Sequence, residues 1–91
     1  MRFYEACVAV AKSVGALMND KQMETFIATN IGRLCDYQVS IGMWIRNHLL
    51  PHNTYLSEAL TLLGYTTPEK QSLFLIEFAH RYWRLHHADM W

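Results

Sequence analysis

Any chemistry in this chain would have to come from its five histidines, its two cysteines and the carboxylates beside them, so their spacing comes first. His48 and His52 are four apart, an interval at which a helix can offer two imidazoles to zinc. Pro51 lies between them, however, and Leu49 rather than a glutamate follows His48. His80 and His87 fall on one side of the last helical stretch, yet seven residues is nearly two turns, roughly 10 Å along the axis. One ion could not bridge that gap without another segment. His86 and His87 are neighbours and point apart. Glu77 and His80 make one Glu-x-x-His pair, whereas a di-iron centre in a helical bundle needs two such pairs and two further carboxylates. No metal or other cofactor is expected.

For nucleophilic catalysis, Cys35 followed by Asp36 is the arrangement to consider, and nothing nearby supplies a base or an oxyanion hole. The four glycines, at 15, 32, 42 and 64, are too scattered for a phosphate-cradling loop. The expectation is therefore a protein that is not an enzyme. Cys7 and Cys35 both fall on apolar faces of predicted helices, where a free thiol packs as a small hydrophobe. The early Arg2 and the apolar run after it resemble a leader, but Glu5 and Lys12 interrupt the run. No window approaches the 18 or so apolar residues of a membrane span. The reading is cytoplasmic, without membrane association.

Hydrophobic residues make up 52% of the 91 residues and charged residues 18%, which excludes a disordered chain. A chain of this size buries about two thirds of its unfolded surface, enough for one domain over residues 1–91. Lys plus Arg and Asp plus Glu number 8 each, so neither a phosphate-dominated nucleic-acid binder nor an acidic DNA mimic is indicated.

The elements that must position these residues are helices. Thr67 can cap, Pro68 suits a first helical position, and Glu69 complements the helix dipole, so a helix is predicted from Thr67 towards Trp91. Leu75, Ile76, Phe78, Ala79, Tyr82, Trp83 and Leu85, with Phe74 at the edge, share one side. Lys70, Glu77, His80, Arg81, Arg84 and His87 share the other. The apolar arc is wider than one neighbour can cover, which places this helix at the centre of the fold. Phe3 to Met18 reads as a first amphipathic helix, with Gly15 weakening its last turn. Thr54 to Leu63 reads as a short third, with Tyr55, Leu56, Ala59, Leu60, Leu62 and Leu63 facing inward and Gly64 at a left-handed end.

Between these helices, Asp20 to Leu50 keeps one apolar phase: Met23, Ile27, Asn30, Leu34, Tyr37, Ile41, Trp44 and His48 alternate spacings of four and three. An unbroken helix of this length would be roughly 45 Å long and would need to pair with a second copy. A break or bend near Cys35 to Gln38 is preferred. The fold expected is all-α, a compact bundle of four or five helices with the C-terminal helix central.

Two classes of partner follow. The helix, turn and helix from Thr54 to Trp91 could be a DNA-binding pair, with Arg81 and Arg84 near phosphates. A Glu77 to Arg81 pair on a solvated face explains the same residues. The reading preferred is protein binding. Leu73 stands in the polar arc without an internal reason, and the chain ends on Met90 and Trp91. Aromatic, Met and Arg side chains dominate protein contacts. The expected partner surface is Leu73, Glu77, His80, Arg81, Arg84, His87 and Trp91. The protein would act as an inhibitor covering a surface of a larger host complex, as phage and mobile-element proteins do, or would form a homodimer. A nucleic-acid-associated helical domain is the alternative.

Overall fold

Side-chain caps divide the chain where the backbone would otherwise leave N–H groups unpaired. The computed structural model describes residues 2–88, and side chains as far as His86. Helix α1, Phe3–Ala16, ends before Asn19. Asn19 opens α2, Asp20–Ala28, with a capping box: its Oδ1 accepts from Gln22 N at 2.8 Å, and Gln22 Oε1 accepts from Asn19 N at 2.9 Å. Asn53 caps α4, Thr54–Leu62, and Thr67 accepts from Lys70 N at 3.2 Å to start α5, Pro68–Ala88. Between α4 and α5, Gly64 takes a φ of 102° and Tyr65 N returns to Leu60 O at 2.9 Å, which closes the end of α4.

The middle of the chain differs from expectation. The stretch from Asp20 to Leu50 breaks at Thr29 and Asn30, both extended, and again at Ser40. No break falls at Cys35 to Gln38. These residues lie inside a nine-residue 3₁₀ helix, Ile31–Val39, which Asn30 opens by accepting from Gly32 N at 3.0 Å. Runs of this kind rarely exceed four residues. With three residues per turn, Ile31, Leu34 and Tyr37 eclipse one another, so the apolar stripe keeps a common side although the helix type has changed. The seam that an unbroken helix would have offered a second copy does not form. A short α3, Ile41–Trp44, runs on through a π turn, Ile45–Leu49, into a 3₁₀ turn, Leu50–His52, at Pro51.

Helix α5 is central, as its breadth of apolar surface requires. It packs on α1 most extensively and also on α2, the 3₁₀ helix, α3, the π turn and α4. Ala6, Cys7, Val10, Ala11 and Val14 of α1 form one core with Leu75, Ile76 and Ala79 of α5, joined by Phe26, Leu34, Ile45, Leu56 and Leu60. The radius of gyration is 12.5 Å. Among the described residues there is no strand, and no helix is long and apolar enough to cross a membrane.

The buried arc of α5 is rotated from the apolar arc of the sequence towards Ser72 and His80. Gln71, Ser72 and His80 are buried, whereas Leu85 is 63% exposed. Internal polar partners make this tolerable, because a buried polar group destabilises chiefly when unpaired. Gln71 Nε2 donates to Tyr65 O at 2.9 Å and Thr61 Oγ1 at 3.1 Å, tying α4 and the following loop to α5. Ser72 Oγ donates to Gln38 Oε1 at 2.7 Å and accepts from Arg46 Nη1 at 3.0 Å. The π turn thus delivers its one arginine to the junction of the 3₁₀ helix and α5. Among the described residues no buried side-chain polar atom lacks a partner.

Three inward placements are corrected on α4 and its C-cap: Tyr55, Leu62 and Leu63 are exposed, and only Leu56 and Leu60 of the helix are buried. A nine-residue helix at the edge of the bundle packs one narrow stripe. Cys35 is also corrected, being exposed where Cys7 is buried.

Candidate functional site

The outer face of α5 and the 3₁₀ helix enclose a groove of about 300 Å³. Its lining is Ile31 and Leu34 from one side and Glu77, His80, Arg81, Arg84 and Leu85 from the other. Leu34 and His80 are buried and make the floor. Ile31 and Leu85, 59% and 63% exposed, stand as two apolar posts on opposite walls. Arg81 and Arg84 are exposed along the rim with Glu77.

Four of the seven residues expected to face a partner meet in this groove: Glu77, His80, Arg81 and Arg84. Leu73 is half-buried and lies outside its lining. The side chain of His87 and all of Trp91 lie outside the described residues. The expected pairing of Glu77 with Arg81 is not made. Among the described residues the single ion pair is Arg33 with Asp36, at 3.3 Å.

His80 belongs to the floor rather than to the exposed polar face where spacing placed it. Its Nε2 lies 3.0 Å from the carbonyl oxygen of Thr29, which can only accept, so the ring carries its proton on Nε2. Phe26 meets the ring edge-on, with centroids 5.4 Å apart. Burial lowers the His80 pKa below the ordinary imidazole value. The nearby Arg84 charge adds to this, and hydrogen bonding to the Thr29 and Ile27 backbone opposes it. A neutral imidazole bonded to the Thr29 carbonyl forms part of the floor. Among the described residues no three His, Cys, Asp or Glu side chains gather as metal ligands.

Cys35 has Asp36 Oδ1 as its hydrogen-bond partner at 4.0 Å, and Asp36 is shared with Arg33. That trio contains no imidazole base. A second, more apolar cleft of about 570 Å³ lies between the start of α2 and α3, walled by Leu17, Met18, Tyr37, Ile41 and Trp44.

The sequence reading missed Ile31, Leu34 and Leu85 as parts of the site. The three-residue interval from Ile31 to Leu34 is a weak signal of the 3₁₀ face, and nothing local marks their meeting with α5. The fold and the groove define an all-α protein with a mixed apolar and cationic surface groove. No family model matches this chain, and no curated protein or solved structure does either.

Proposed function

We propose that this is a non-enzymatic protein that acts by binding a protein partner through the groove between α5 and the 3₁₀ helix. The observation that carries the reading is the pair of exposed apolar posts, Ile31 and Leu85, set beside Arg81 and Arg84. Arginine is one of the residue types that dominate contact energies, and apolar groups in a concavity add buried area while the rim excludes water. The role proposed for that contact is inhibition, by covering a surface of a larger host complex. It extends the binding reading by analogy with the small neutral helical proteins that phages and mobile elements carry, a likeness of size and composition.

The test is affinity purification from the native host, with the chain compared against an Ile31→Asp, Leu85→Asp variant whose thermal unfolding has been checked against the parent. Both positions are exposed, so the variant should fold. The reading expects a protein recovered with the parent and lost with the variant. Recovery of the same proteins with both, or binding to random-sequence duplex DNA that weakens steeply with salt and ignores both substitutions, would overturn it in favour of the nucleic-acid alternative or of none.

A further inference from the structure

The charge around the groove is unbalanced. Glu77 is the single carboxylate in its lining, against the guanidinium groups of Arg81 and Arg84, and it forms an ion pair with neither. The neighbouring Arg33 is neutralised by Asp36 on the same 3₁₀ helix, at 3.3 Å. The arginines beside Leu85 have no such compensation among the described residues. Arg84 lies close enough to the floor for its charge to disfavour protonation of His80, after the larger effect of burial. The α5 side of the groove therefore carries net positive charge beside the apolar groups of Ile31, Leu34 and Leu85.

We infer that the occupant of this groove is a protein segment that inserts one large apolar side chain between Ile31 and Leu85 and flanks it with carboxylates that meet Arg81 and Arg84. The inference rests on the protein-binding reading and adds the chemistry of the partner. A slot of about 300 Å³ is at the small end of binding cavities, so it holds a side chain rather than a whole element. A guanidinium presents a planar fork that matches a carboxylate in two parallel hydrogen bonds. Exposed as they are, the arginines gain little from a carboxylate alone. Burial of the apolar anchor removes water from beside them and makes the pairing selective, so anchor and charge act together. A run of phosphates is the poorer match, because the apolar posts would have nothing to touch.

Three sets of short fluorescent peptides test this by anisotropy: a central Phe or Leu flanked by Glu, the same anchor flanked by Lys, and Ala flanked by Glu. Each is titrated with the parent protein, with Arg81→Glu, Arg84→Glu, and with Leu85→Asp. The Glu-flanked anchor should bind the parent at least about tenfold tighter than either of the other peptides. It should lose that advantage on the charge-reversed variant, to which the Lys-flanked peptide should bind better. Equal binding of Glu- and Lys-flanked peptides, indifference to charge reversal, or no binding of any peptide overturns the inference. The two readings separate in the purification from the host. A partner lost with Leu85→Asp but retained with Arg81→Glu, Arg84→Glu leaves protein binding standing and removes the acidic partner. A partner retained with Leu85→Asp removes both.

Discussion

The indole N–H of Trp83 donates to the main-chain carbonyl of Ala11 at 2.7 Å, and it reaches that oxygen because Gly15, one turn further along α1, has no side chain in the way. A methyl group at Gly15 would collide with the indole ring, lying 2.7 Å from Cε2 and 3.0 Å from Nε1. In isolation glycine weakens the last turn of α1. In the folded chain it is what allows α1 and α5 to close.

Gly15→Ala is therefore expected to destabilise the protein by about 1–3 kcal/mol through overpacking, although alanine is the better helix former by about 1 kcal/mol. The sign should reverse when the indole is removed. In a Trp83→Leu background the same substitution should be neutral or stabilising, as read from urea unfolding midpoints of the four proteins in a double-mutant cycle. If Gly15→Ala behaved alike in both backgrounds, the close approach of the two helices would be refuted.

The centrality of α5 was legible because a wide apolar arc has one physical solution, neighbours on both flanks. The cap at Thr67 and the left-handed Gly64 were legible because capping is local chemistry. The break at Thr29 and Asn30 was not, since the 3₁₀ helix after it carries Leu34 and Tyr37 onto the side where an α-helix would also have put them. His80 was placed on the polar side because its partner, the Thr29 carbonyl, is distant in sequence; the partners that bury Gln71 and Ser72, Tyr65 and Gln38, likewise lie outside α5. The same reason hid half of the groove. Glu77, Arg81 and Arg84 follow from the outer face of one helix, but Ile31 joins them only through tertiary packing.

The two thiols should differ sharply in reactivity. Cys7 is buried in the α1 core, and burial pushes its pKa up to about 11, so it presents almost no thiolate near neutral pH. Cys35 is exposed on the 3₁₀ helix. Alkylation of the native protein at pH 8 should modify Cys35 alone, with Cys7 joining it only on unfolding, as resolved by peptide mass spectrometry. Labelling of both at similar rates in the native state would mean that the α1 face is not closed.

The contact between His80 and Thr29 makes stability depend on pH, in a direction that the burial fixes. The folded protein holds His80 neutral below the ordinary imidazole range, while in the unfolded chain the same side chain takes up its proton near pH 6.5. Between those two values the unfolded state binds the additional proton, so acid favours unfolding. The contribution is fully present above about pH 6.5 and is lost as the pH falls towards the folded pKa, with a limiting slope of about 1.4 kcal/mol per pH unit for one proton. Urea midpoints measured from pH 7.5 down to 5 should fall accordingly. His80→Gln keeps an amide N–H that can reach the Thr29 carbonyl and has no titration in this range, so it should remove up to one proton's worth of the slope while lowering stability at pH 7.5 only modestly. His48, His52 and His86 are exposed and remain in both proteins, so the difference between the two slopes belongs to His80. Identical slopes would show that the ring titrates as if in water, and that the floor of the groove is open to solvent.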